Sequence, residues 1–227
     1  MKKSFFHTNR YLLLSLVAVF FVGGFLQMYF DKDGLIQKYV VTGSKAQQTY
    51  TPNTSAATGT GKPKIGGSYT LVDTEGKVFS SDALLGKYAL VNFGYASCPD
   101  VCIEGLTMMA DAYEQMPPAV QNNLNMVFIT IDPERDTPAK LAKYLPAFDE
   151  NMIGLTGAPE QIADVAAKFL VYRAKRAEDI DNPNYLMNHS SFFYLMAPDG
   201  EYAMHYRHNV GAEEMAKQIM GVMGEHS

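Results

Sequence analysis

The chain has 227 residues, 47% of them hydrophobic and 19% charged, with two cysteines, 13 methionines and a formal net charge of −5 at pH 7. The acidic balance and the lack of a basic run beyond the first ten residues argue against a nucleic-acid partner. No internal repeat is visible.

Lys2, Lys3 and Arg10 precede "YLLLSLVAVFFVGGFLQMYF", Tyr11 to Phe30, an apolar run of the length that crosses a bilayer. A cleaved secretory signal has a shorter apolar core and a small-residue exit site, so this run reads as an uncleaved anchor. Basic residues before the span and Asp31 and Asp33 after it assign residues 1–10 to the cytoplasm, residues 11–30 to a transmembrane helix and the rest to the outside. A mitochondrial presequence has no room in ten residues. The expected setting is therefore a bacterial inner membrane, crossed once, with the globular part in the periplasm. Residues 31–64 form a tether, rich in Thr, Ser, Gly and Ala toward its end and without aliphatic periodicity. Residues 65–227 are enough for one domain with a sizeable core.

That domain opens on a predicted hairpin, Tyr69–Asp73 and Lys77–Ser81 about the turn residues Thr74 to Gly76. "KYALVNFGY", Lys87 to Tyr95, is continuously apolar, as expected of a central strand covered on both faces. Val101 to about Met116 carries apolar residues at helical spacing until Pro117 and Pro118. Asn125–Asp132 is a second buried strand, and "DPERDTP" starts a helix with Asp136 or Thr137 as cap and Pro138 in its first turn. "MIGLTG" is a short strand, and Ala158–Val171 a helix running into a strand near Val171–Ala174. A polar excursion, Lys175 to Asn188, leads to two strands about "PDG" and a last helix, Ala212–Met223. This order specifies an α/β fold with a mostly parallel core sheet of the thioredoxin-like kind, carrying insertions.

Both cysteines lie in "NFGYASCPDVC", immediately after the central strand. With Cys98 near a helix cap and Cys102 one turn on, the spacing puts two exposed sulfurs on one face, where the helix N-terminus favours thiolate. Three fates are open to such a pair. A disulfide staple would close a loop too short to restrain much of the unfolded chain. Dithiol–disulfide exchange is usually carried by a pair one residue closer. As a metal site, two thiolates suit copper(I), whereas structural zinc wants four protein ligands and no further cysteines exist. A trigonal copper site needs a third ligand from elsewhere. His7 lies before the anchor, His226 at the chain's end, and His205 and His208 read as solvated or edge-strand residues. His189 is the candidate, at the end of the polar excursion and just before a strand.

Taken together, "FGYASCPDVC", "IDPERDTP", "GLTG" and "NHSSFFYLMAPDG", spread in order over about 160 residues, resemble the Sco/SenC family of thioredoxin-fold copper proteins that serve cytochrome c oxidase assembly. The resemblance implies Cys98 and Cys102 as thiolate ligands and His189 as imidazole ligand of one copper ion, Cu(I) or Cu(II). It also implies the copper-bearing oxidase subunit as partner, with another periplasmic copper chaperone or a thiol reductant beside it. Asn188 stands where the family usually carries Asp, removing a charge next to the histidine, and Ile103 stands where a proline often follows the second cysteine.

Most methionines, Met109, Met116 and Met126 among them, sit at core-periodic positions and read as core filling, with Met187 set apart by its place beside the histidine. Asp132 and Asp136 read as turn and cap residues, Asp100 as a complement to the helix dipole, and Phe93 and Tyr95 as walls of the site. The expectation is a non-enzymatic copper chaperone delivering to the oxidase's dinuclear copper site. The rival is a thiol–disulfide oxidoreductase that keeps the oxidase cysteines reduced, using Cys98 and Cys102 as its redox pair. A peroxidase on the same fold is a third possibility.

Overall fold

Seven successive residues of the strand that precedes the cysteines, Tyr88–Gly94, are buried in a computed structural model of the chain that describes residues 64–179 and 181–225. The predicted tail, anchor and tether up to residue 63 lie outside the described residues, as do His7 and His226. Among the described residues no helix is long and apolar enough to cross a membrane.

The strands are β1 (Thr70–Asp73), β2 (Val78–Ser80), β3 (Tyr88–Gly94), β4 (Leu124–Thr130), β5 (Ile153–Thr156), β6 (Arg173–Lys175), β7 (Met187–His189), β8 (Phe192–Met196) and β9 (Tyr202–Arg207). The helices are α1 (Val101–Glu114), α2 (Pro118–Gln121), α3 (Pro138–Tyr144), α4 (Pro159–Lys168) and α5 (Ala212–Glu225). Seven strands form one sheet in the order β2-β1-β5-β4-β3-β8-β9, and β6 and β7 form a separate ribbon. The expected parallel core is confined to β3, β4 and β5, and every other pairing is antiparallel.

Alternation along β3 and β4 divides the interior into two cores, because successive side chains in a strand point to opposite faces. Tyr88, Leu90, Met126 and Phe128 face one layer, where they meet Leu106 and Met109 of α1 and Met215 and Ile219 of α5. Val91, Phe93, Val127 and Ile129 face the other, against Ile162 and Val165 of α4 and Phe169 just beyond it. Phe169 anchors this second layer through tilted or edge contacts with Phe93 (centroids 5.2 Å apart) and Tyr194 (5.3 Å).

Three local details settle or revise the sequence expectation. Pro118 does not merely end the preceding helix; it starts α2, since proline is well placed in a first turn. Thr137, not Asp136, caps α3, its hydroxyl accepting from the Lys140 amide at 3.3 Å. The polar excursion is not an open loop: the chain enters it along β6 and returns along β7, with Arg173 paired to His189 and Lys175 to Met187. α4 ends with Leu170 at φ 56°, the left-handed conformation that a glycine adopts without strain, and the Val171 amide bonds back to the Ala166 carbonyl at 2.8 Å.

Candidate metal centre

β3 delivers the chain to the carboxyl edge of the parallel strands, where ligand sites of α/β sheets form. The Cys98 amide bonds to the Tyr95 carbonyl at 3.1 Å, closing a turn, and α1 begins only at Val101 with Asp100 as its cap residue. Cys98 therefore precedes the helix and Cys102 occupies its first turn. The expectation of two exposed sulfurs is corrected by burial: Cys98 is 6% and Cys102 4% exposed. Room for the second sulfur comes from Gly94, where an added Cβ would lie 3.1 Å from Cys102 Sγ and 2.9 Å from the Phe128 ring.

Both thiols are free of disulfide linkage, and hydrogen bonding from the Cys102 side chain is the largest influence on Cys98. That bonding holds the Cys98 thiolate, lowering its pKa well below the usual thiol range, with help from the Asp100 and Cys102 amides and the Tyr95 hydroxyl. The same bonding, with burial, raises Cys102 and keeps it protonated. Easy ionisation thus belongs to Cys98 alone.

The cysteine turn is pinned from below by Asp136, which is wholly buried. Its carboxylate accepts from the Ala96 amide at 2.9 Å, the Thr130 hydroxyl at 2.7 Å and Lys140 Nζ at 2.9 Å, and Lys140 also donates to the Ser97 hydroxyl at 2.7 Å. This replaces the cap reading of Asp136: a carboxylate six residues past Thr130 fastens the two residues before Cys98. No spacing in the sequence encodes that contact, because the Asp136–Ala96 pair is 40 residues apart.

His189 arrives on the last residue of β7. Its Nε2 lies 3.5 Å from Cys102 Sγ, and its Nδ1 lies 2.9 Å from the Ser190 carbonyl. A carbonyl only accepts, so Nδ1 carries the hydrogen and the Nε2 lone pair faces the sulfur. Burial lowers the pKa of His189, favouring the neutral ring. Two ligands on one ion, at roughly 2.3 Å for sulfur and 2.0 Å for nitrogen, lie about 3.5–3.7 Å apart, so the Cys102–His189 pair is already spaced for a shared metal. Among the described residues no three His, Cys, Asp or Glu side chains already form a metal cage; the donors are joined pairwise through Cys102.

The remaining sequence candidates take other places. Met187 is buried in the core behind the site, and its amide donates to the Tyr95 hydroxyl at 3.2 Å. Tyr95, read as a wall, is thus bonded to both the cysteine turn and the ribbon, with its ring edge-on to His189 at 6.0 Å between centroids. His205 pairs with the Tyr202 hydroxyl at 2.6 Å on the exposed face of β9. His208 Nε2 reaches the Val101 carbonyl at 2.9 Å, touching the turn that bears Cys102 without facing its sulfur in any hydrogen bond. Asp132 is buried and receives Tyr185 and Arg135, two residues to which the sequence reading gave no role.

The SCO1/SenC family model matches residues 57–224. A SCO2-like protein of Rickettsia conorii is 44% identical over 152 residues, spanning 67% of this chain and 74% of the relative. Among solved structures, Arabidopsis thaliana ScoI with copper bound is 33% identical with a TM-score of 0.67, covering 71% of this chain and 99% of that one. Bradyrhizobium japonicum ScoI with copper bound is 36% identical with a TM-score of 0.63, covering 70% and 99%.

Proposed function

The chain belongs to the SCO1/SenC family, and from that premise we propose that it is a membrane-anchored periplasmic copper chaperone. In this reading Cys98, Cys102 and His189 hold one copper ion and pass it by ligand exchange to the dinuclear copper site of a cytochrome c oxidase subunit during assembly. The Sco family is one of cytochrome c oxidase assembly proteins. The observation that carries the reading is the 3.5 Å approach of the His189 Nε2 lone pair to Cys102, four residues from Cys98 on the same turn. The anchor and the periplasmic setting rest on the apolar run Tyr11–Phe30 and the charges around it.

The donor set suits the ion. Two soft thiolates and one neutral imidazole favour Cu(I) and leave it under-coordinated, so an incoming sulfur or nitrogen can displace the resident ligands stepwise. Cys98 is the ready anion, whereas Cys102 must release its proton as metal binds. The Ser190 carbonyl fixes the ring tautomer, so no proton has to leave His189. Oxidising the pair to a disulfide, by an external two-electron oxidant such as another protein's disulfide, removes two electrons and the one proton that Cys102 still carries and consumes both sulfur ligands, which couples copper occupancy to redox state.

A second reading, thiol–disulfide oxidoreductase, is favoured by one feature: an ionised Cys98 beside a protonated Cys102 is the arrangement of an attacking and a resolving thiol. Copper(I) and copper(II) titrations of the anaerobically reduced chain separate the two. His189→Ala is expected to weaken copper binding by more than about 100-fold, beyond the loss from an outer-shell change, while sparing dithiol exchange with a small disulfide. Unchanged copper affinity in that variant would overturn the chaperone reading.

A further inference from the structure

His189 is brought to the cysteines by a ribbon only three residues long on each side, which pairs with no strand of the main sheet. Two strands of that length do not hold themselves in place, so the position of the imidazole must be set by side chains. The ones that do it converge on Tyr185, four residues before His189 and itself buried. Two cations lie over its ring, Arg135 Cζ at 3.6 Å and Lys175 Nζ at 4.2 Å from the centroid. Its hydroxyl donates to Asp132 Oδ1 at 2.6 Å, with Glu134 Oε2 at 3.3 Å. Each cation is also paired with an acid of the same turn, Arg135 with Asp132 and Lys175 with Glu134.

Arg135 also lies 5.7 Å from the Tyr95 ring centroid. The Tyr95 hydroxyl in turn receives the Met187 amide at 3.2 Å. The stretch after β4 thereby holds the ribbon at Tyr185, at Lys175 through Glu134, at Arg173, whose guanidinium donates to the Ile131 carbonyl at 3.1 Å, and, through Tyr95, at Met187. We infer that Tyr185 is a positioning residue, a latch that docks the His189 ribbon on the Asp132–Arg135 turn and so sets the distance between the imidazole and the cysteine pair. The inference rests on the proposed role of His189 as a copper ligand for its functional meaning, but its geometry concerns the metal-free chain. Releasing the latch lets the ribbon lift and carries one ligand away while both sulfurs stay on the rigid turn, which is the motion that handing over an ion by ligand exchange requires.

Tyr185→Phe removes the hydroxyl and keeps the ring, so it tests the latch without emptying the core. In the reduced, metal-free, full-length chain the Met187 amide is expected to exchange with solvent about 10-fold faster in this variant, the effect of losing one charge-assisted hydrogen bond, while amides of β3 and β4 keep their parent rates. Copper affinity is expected to fall about 10-fold, as for an outer-shell partner, with weakened nitrogen hyperfine structure in the Cu(II) spectrum. Arg135→Gln, which removes the cation shared by both rings, should give the same pattern and more. Unchanged Met187 exchange in both variants would overturn the latch. A His189→Ala variant run alongside keeps the outcomes apart: if it alone loses copper, the chaperone reading stands and the latch falls. If it binds copper normally while Tyr185→Phe still speeds exchange, the latch stands as a device of the fold and the ligand assignment falls.

Discussion

The cysteine turn hangs from β3, a central strand buried along its whole length, whereas His189 sits on a two-stranded ribbon that shares no ladder with the seven-stranded sheet. Behind the turn stand a wholly buried carboxylate and both hydrophobic cores; behind the ribbon stand Met187 in one of those cores, Tyr185, Tyr95, the Lys175–Glu134 and Arg173–Ile131 contacts and the Ser190–Tyr172 bonds. One half of the site is therefore fixed by the global fold and the other by local contacts. The proposed carrier role, gripping an ion and then letting it go, calls for both: sulfurs that do not wander, and a third ligand whose departure does not unfold anything.

The widest consequence concerns hydrogen exchange. Amides of β3 and β4 are expected to open only with global unfolding and those of β6 and β7 locally, so their protection should differ by at least about 1000-fold. Equal protection would erase the distinction between the halves. Substitutions sharpen it. Asp136→Ala strands the Ala96 amide and the Thr130 hydroxyl and should cost about 2–4 kcal/mol in urea unfolding. Ser190→Ala, which removes one bond from the Tyr172 amide on the ribbon, should cost less than about 1 kcal/mol.

Within the rigid half the two sulfurs should themselves behave differently. Because the Cys98 pKa is lowered in the folded chain, its thiolate persists as pH falls below the ordinary thiol value, and alkylation of the metal-free dithiol at Cys98 should decline only in acid. Cys102, raised, should stay unreactive at neutral pH. Mass mapping of iodoacetamide adducts across pH reads both; two profiles centred on the ordinary thiol value would contradict the influence of Cys102 on Cys98. The smallest effect lies where the chain leaves α4 for the ribbon. Leu170→Gly relieves the left-handed strain there, less the extra unfolded-state entropy of glycine, and should stabilise the domain by about 0.5–1 kcal/mol.

The same division governs what could be read without coordinates. The cysteine half was legible: an apolar run long enough for a doubly covered strand, a pair at near-helical spacing and a helix ending at prolines are all local signals. Even there, burial of the sulfurs and the fastening by Asp136 were not, since Asp136 looks like any residue before a capping threonine until the fold brings Ala96 and Thr130 to it. On the other half His189 stood out by elimination and by resemblance, but its supports did not. The ribbon strands are too short for a two-residue alternation to register, and Tyr185 meets Asp132 across 53 positions of sequence. Asn188, which the resemblance singled out, is exposed and pairs with Ala174 across the ribbon.

The central claim is that two sulfurs on the fixed turn and one nitrogen on the ribbon hold the same ion. X-ray absorption at the copper edge of the reduced chain loaded with one equivalent of copper(I) tests it most directly. The account predicts a first shell of two sulfurs and one imidazole nitrogen, with the imidazole scattering lost in His189→Ala and the sulfurs retained. A shell without imidazole in the parent chain, or one that His189→Ala leaves intact, would contradict it.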